Sequence, residues 1–259
     1  MDQLLIPLKP VLIFVVVLAR VGGLVTFAPF WAHKAATIQI RIVLALALAL
    51  VLTPGLVDKL PMPPQEPLAL APVILLELLV GLAFGFVGRL IFSALEMAAQ
   101  VIGYQMGFSL AGAIDPSTQA QTAALGIIAQ MLGLVIFMGM NGHHWFLQTT
   151  MQSFNSIGLG SAHVSADLAQ LMLRLSADAL AVGVALAAPA IIVLLAVEFG
   201  LALAGRAMPQ IQVMILGFPI KIAVGLWLIG ASLYFMPAGI RGALNVIQRS
   251  LAQTMSGLH

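Results

Sequence analysis

Several ionisable side chains stand where such groups are hardest to accommodate. Arg20, Glu77, Arg89, Glu96, Asp178, Glu198 and Lys221 each interrupt an apolar run, in a chain with only 8% charged residues. At the centre of a bilayer each would cost roughly 2.5 kcal/mol or more on insertion scales, so none is expected to face lipid. Two chemistries suit charges so placed. One is a relay passing protons or ions along the helices; the other is ion pairing that fixes one helix or one subunit to another. The acidic residues do not gather into a sodium or proton site, which favours ion pairs. Arg89 and Glu96 are seven residues apart, on one helix face but about 10 Å apart along the axis, so they can share a partner without touching. Arg174 and Asp178, spaced i,i+4, can pair within one helix. Arg206, in a later turn, completes the set of expected inter-helix or inter-subunit ion-pair residues.

A second feature is the stretch GYQMGFSLAGAIDPST, residues 103–118, which carries Gly103, Gly107 and Gly112 and has Asp115 as its only charge. Each glycine disfavours helix by roughly 1 kcal/mol relative to alanine, so the helix is expected to break here. Asp115 suits an N-cap and Pro116 the first position of the next helix. Irregular backbone at membrane depth is tolerated only against protein or water, not lipid. Gly103, Tyr104, Gln105, Met106, Gly107, Phe108, Ser109, Leu110, Ala111, Gly112, Ala113, Ile114, Asp115 and Pro116 are therefore candidates for a pore-facing gate loop. Met97, Met106, Met131, Met138 and Met140 flank or enter it. Methionine fills irregular gaps; ordinary packing accounts for the deeper ones, and a deformable seal suits Met106 together with Phe108.

Other chemistry is missing from the pattern. The five histidines are dispersed, and the adjacent His143 and His144 would point about 100° apart on a helix, poor geometry for a metal. No metal or other cofactor is expected. There is no H-E-x-x-H, G-x-S-x-G or phosphate-binding loop, so neither an ATPase nor any other enzyme is expected. With no cysteine there is no disulfide. Net charge of +2 with few ionisable residues makes no basic patch, so nucleic acid is not an expected partner.

These residues need elements to hold them. Hydrophobic residues make up 61% of the chain and mean hydropathy is +1.10, which marks an integral membrane protein built from helices. The first apolar run, residues 11–28, ends at Pro29 and is expected to be a permanent helix rather than a cleaved signal. A polar corner with His33 and Lys34 leads to a second run, residues 37–52, long enough on its face to cross. TPGLVDKLPMPPQEP then reads as a solvent loop, because its prolines forbid regular helix. Residues 72–102 form a third run of about 46 Å at 1.5 Å per residue, longer than a hydrocarbon core. A fourth covers residues 117–140 and ends at Asn141-Gly142, followed by HHWF near an interface. The softer region 141–163 is the best seam. Beyond it, residues 164–204 are too long for one crossing; either Pro189 kinks them or the part up to Leu180 stands separately. A last run, 211–235, precedes a tail with Arg241 and Arg249 expected to be a surface helix. Loop charges at Lys34, Arg41 and Arg206 favour an N-terminus outside.

The patterns ARVGGLVTFAPFW (residues 19–31), GYQMGFSLAGAIDPSTQ and HHWFL together resemble the FliR family, across nearly the whole chain. That family supplies the flagellar export gate, with counterparts in virulence-type injectisomes. VALAAPAIIVLLAVE (184–198) and Pro219-Ile220-Lys221 resemble the FliQ hairpin. The resemblance implies an all-α fold with two parts: residues 1–145, FliP-like and carrying the gate loop, and residues 146–259, a FliQ-like hairpin with an amphipathic tail. It also implies one such subunit per complex with FliP-like and FliQ-like partners, an FlhB-like neighbour, and unfolded export substrates. The site would be the flagellar basal body in the bacterial inner membrane, with residues 103–118 as the plug. A stand-alone secondary transporter, which would need a second broken helix and a polar midplane, and a purely structural scaffold are the rival readings.

Overall fold

The structure is a computed structural model, and it describes residues 8–28, 37–108, 119–161, 166–208, 217–232 and 242. Every regular element among the described residues is helical: α1 (Leu8–Phe27), α2 (Ile38–Leu52), α3 (Pro54–Val57), α4 (Pro67–Gln105), α5 (Gln119–Gly139), α6 (Gly142–Ser156), α7 (Ala166–Ala207) and α8 (Gly217–Ser232). The corner with His33 and Lys34, residues 109–118 of the glycine stretch and all of the C-terminal tail but residue 242 lie outside the described residues. Among the described residues three helices, α1, α4 and α7, are long and apolar enough to cross a membrane, up to four if α5 and α6 are one broken span.

Two compact units divide the chain by packing. One takes the chain through Arg89 and again from Asn141 to Leu173; the other takes Leu90–Met140 and resumes at Arg174. In the first unit α1 buries Ile13, Val16, Val17, Arg20, Val21 and Leu24, the i, i+3, i+4 stripe of a helix with one inward face. That stripe packs on Ala45, Ala49 and Leu52 of α2 and on Phe154 of α6. The other side of α2 leaves Ile38, Ile42, Val43, Leu50 and Val51 exposed.

Several expectations are corrected. The second apolar run yields a helix of 15 residues, about 22 Å long and too short to cross by itself. Thr53 keeps helical dihedrals, and its N–H still donates to the Ala49 carbonyl at 2.9 Å. Pro54 has no N–H to offer Leu50, so regular bonding stops there. The proline-rich loop is not simply a solvent loop either, for it forms α3 and sends Leu56 and Leu60 into the core of the first unit. α4 starts five residues earlier than expected, with Pro67 at its first position, where a missing N–H costs nothing. At 39 residues it is about 58 Å long. The soft region after Asn141 is a helix, α6, whose Phe146, Thr150, Ser153 and Phe154 share one buried face. It begins after Asn141, which takes the left-handed conformation (φ 57°) that asparagine tolerates better than most residues. Finally, α7 is one helix of 42 residues with Pro189 inside it, so the part up to Leu180 is not a separate stretch.

Candidate functional site

Two arrangements gather the sequence-predicted residues, one in each unit. In the first, α1 and α4 touch backbone to backbone. A Cβ on Gly23 would lie 2.5 Å from the Leu78 carbonyl oxygen, one on Gly85 would lie 2.8 Å from that of Leu24, and one on Gly81 would overlap the carbonyl oxygen of Arg20. Small residues at a crossing allow such an approach between apolar helices. Glu77 precedes Gly81 by one turn, and this closeness brings its carboxylate to Arg20. Arg20 Nε donates to Glu77 Oε2 at 2.5 Å, and both side chains are fully buried. Arg20 Nη1 donates to Ser153 Oγ at 2.7 Å, while the Ser153 hydroxyl donates its own hydrogen bond to the Thr150 carbonyl. The guanidinium carbon lies 3.8 Å from the centre of the Phe154 ring, a cation–π contact. Nη2 is buried without a hydrogen-bond partner among the described residues. The second carboxylate oxygen of Glu77 accepts the backbone N–H of Gly160 at 3.2 Å. One charged pair thus ties α1, α4, α6 and the turn after α6 together. A buried pair held by further hydrogen bonds can offset its desolvation, and one lacking a member cannot.

In the second unit the start of the glycine stretch is anchored. α4 continues through Gly103, Tyr104 and Gln105, the first residues of the stretch in which a break is expected. The regular helix ends beyond Gln105, and Gly107 has φ +93°. Met106 is fully buried with Ile102, Ala187, Ala190 and Leu194, and a Cβ on Gly225 of α8 would lie 2.5 Å from its sulfur. A Cβ on Gly107 would lie 2.6 Å from the Phe218 ring. Only glycine fits both that backbone angle and that ring. Phe218 and Gly225 were missed in the sequence; the neighbouring Pro219-Ile220-Lys221 was the available signal. Ser109, Leu110, Ala111, Gly112, Ala113, Ile114, Asp115 and Pro116 lie outside the described residues. Replacing Gly107 with alanine is expected to cost about 1–3 kcal/mol from the strained angle. A Phe218→Ala change made alongside should relieve the clash but not the angle, read as partial recovery of the melting temperature of the purified protein.

The other charges divide. Lys221 Nζ on α8 lies 3.2 Å from Glu198 Oε1 on α7, a half-exposed pair worth little by itself. Arg174 and Asp178 are exposed, and no ion pair among the described residues joins them. Arg89 and Arg206 are exposed, and Glu96 accepts a 3.4 Å hydrogen bond from the Gln100 side chain. The His143 and His144 rings meet edge to face, 4.6 Å between centroids, and no cluster of metal-ligating side chains occurs among the described residues.

The pattern of the family described as bacterial export proteins, family 1, matches residues 11–246. The chain belongs to that family. Its relatives include flagellar biosynthetic protein FliR of Escherichia coli, 28% identical over 242 residues, which are 93% of this chain and 92% of the relative. FliR of Caulobacter vibrioides is 32% identical over 217 residues, 84% and 86% of the two chains. Yop proteins translocation protein T of Yersinia pestis is 30% identical over 150 residues, 57% and 58%. In this FliR-type member of the family the match spans both arrangements, from Arg20 to Gly225.

Proposed function

We propose that this family member is a subunit of the flagellar type III protein export gate in the bacterial inner membrane, where it forms part of the channel for unfolded flagellar proteins and supplies its plug. The observation that carries the reading is likeness to flagellar relatives along more than four-fifths of both chains. Long apolar helices with their strongest charge pair sequestered from lipid support it. FliP-like and FliQ-like subunits and an FlhB-like protein are its proposed neighbours, with one copy of this chain per complex and export energy coming from other components. The division into a FliP-like part, 1–145, and a FliQ-like part, 146–259, belongs to this proposal. So does the assignment of exposed Arg89, Arg174, Asp178 and Arg206 to contacts between subunits.

Mechanistically, Met106 and Phe108 tether the near end of the plug to the core of the second unit, and Gly107 lets the backbone turn away from α4. Opening then needs movement beyond the glycine while α4 stays in place. Deleting residues 107–113 should make the assembled gate leak ions, measured as conductance of the reconstituted complex; unchanged conductance defeats the plug. The subunit assignment is tested by expressing the chain in a motile bacterium that lacks its own FliR. Restored export and co-purification with FliP and FliQ homologues are expected, and failure of both rejects it. The Yersinia likeness supports an injectisome gate as the second reading, over a smaller share of the chain.

A further inference from the structure

α8 has no fully buried side chain: its only buried residues are two glycines, Gly217 and Gly225. Ile222, Leu228 and Ile229 are partly buried against the cluster around Met106 and Leu194. An element with so few buried apolar contacts is held weakly. Yet what it covers is fully buried, for Met106 has no exposed surface. The cover rests on two points. The Phe218 ring lies against Gly107, and Gly225 lies against Met106. These two residues of α8 are seven apart, two turns along one face and about 10 Å from each other. They straddle the place where α4 ends and the glycine stretch leaves it.

Apolar contacts are non-directional and do not by themselves fix the register of such a helix. Two features do. A shift of one turn brings Lys221, Ile222, Leu228 or Ile229 to the position of Gly225, where even a Cβ would lie 2.5 Å from the Met106 sulfur. The second is the ion pair. Lys221 Nζ meets Glu198 Oε1 at 3.2 Å, and one turn away a Cβ on Gly217 would lie 3.3 Å from Leu201 Cδ1. The two contacts are consecutive turns of one α7–α8 seam. The pair adds little energy, being half-exposed, but it is directional: a one-turn shift carries Lys221 about 5.4 Å along the axis and out of reach. We infer that Glu198 and Lys221 are positioning residues of the gate. By holding α8 in register they keep Phe218 and Gly225 against Gly107 and Met106, which gives the near end of the plug a fixed abutment. This deepens the export-gate reading and rests on it.

The test uses the gate reconstituted with its neighbouring subunits. Glu198→Lys and Lys221→Glu each place like charges at the contact, and both together restore opposite ones. An exposed pair shifts an equilibrium by up to about fivefold and repulsion adds to that, so either single change should raise closed-gate conductance about fivefold or more. Protein level should stay at that of the wild type, and the double reversal should close the leak. A further variant carries Met106→Cys with Gly225→Cys. A Cβ on Gly225 would lie 2.5 Å from Met106 Cγ, which puts the two β-carbons no more than about 4 Å apart, within disulfide reach. The chain has no cysteine of its own, so no other bond within it competes. Oxidised, this pair should suppress the leak of Lys221→Glu, and reductant should bring the leak back. In the chain with its natural charges the same bond should leave export intact, because opening takes place beyond Gly107. Unchanged conductance in both single reversals overturns the inference, as does a leak that neither the double reversal nor the bond reduces. Loss of protein level in the single reversals makes the pair a folding contact and overturns the positioning role too. A cysteine pair that does not oxidise removes the abutment, and export stopped by the bond makes α8 a moving part. The wild-type chain in a strain lacking its own FliR separates the two levels. Failure to restore export rejects the gate reading, whereas restored export with unmoved conductance rejects only the positioning role.

Discussion

Glu77→Ala is expected to remove most of the folded protein from the membrane. The change strands the Arg20 guanidinium in the core of the first unit, with Ser153 and the Phe154 ring as its remaining partners. Removing one member of a buried pair costs about 3–5 kcal/mol, a large part of the 5–15 kcal/mol or so that stabilises a typical folded protein. It also frees the Gly160 N–H, which now donates to Glu77. Glu77→Gln keeps an acceptor for that N–H but loses the charge, so its loss should be smaller. Steady-state protein level and melting temperature in detergent are the measurements, and wild-type values for Glu77→Ala would remove the pair from any structural role. A paired Arg20→Met, Glu77→Met variant separates two uses of the charges. If they only clamp helices, apolar replacements of similar volume should restore both protein level and export. Restored level without export would show that the charges serve transport.

Gly81→Leu should be at least as damaging. Even a single added carbon at Gly81 overlaps the Arg20 carbonyl, and backbone cannot move aside as a flexible side chain can. α1 and α4 must separate, and Glu77, one turn away, is drawn off Arg20 with them. Overpacking typically costs about 1–3 kcal/mol, and here the loss of the buried pair is added to it. Gly22→Ala is the matched control. Its Cβ would meet nothing within 4 Å, and alanine favours helix over glycine by about 0.5–1 kcal/mol, so the protein level should hold or rise. Equal damage from Gly22→Ala and Gly81→Leu would mean that the crossing is not what the glycines serve.

The two kinds of result mark how far local pattern reaches. Composition, run length and the cost of charge in hydrocarbon are properties of short stretches. From them follow a helical membrane protein, the long apolar runs at residues 72–102 and 164–204, the helix end at Asn141-Gly142, and the rule that Arg20 and Glu77 do not face lipid. Family membership was legible in the same way, through particular local strings. The helix α6 was concealed because polar SFNS and two glycines after it outweighed the spacing of Phe146, Thr150 and Phe154. The Pro-rich stretch likewise concealed Leu56 and Leu60, since proline forbids regular helix without forbidding burial.

What only the tertiary structure decided is which charges meet and where the backbone turns. Arg20 finds Glu77 57 residues on and Ser153 133 residues on, while Arg174 and Asp178, perfectly spaced for each other, form no pair. Likewise Gly103 stays helical, whereas Gly107 takes φ +93° beside the Phe218 ring. Sequence by itself settled where charges could not lie and which runs are apolar, for solvation acts within a few residues, whereas the bounds of α2, α4, α6 and α7 came from the structure. Partner choice waited for the fold, because it depends on how closely two distant backbones approach, and here that distance is set by the absence of a side chain at Gly23, Gly81 and Gly85.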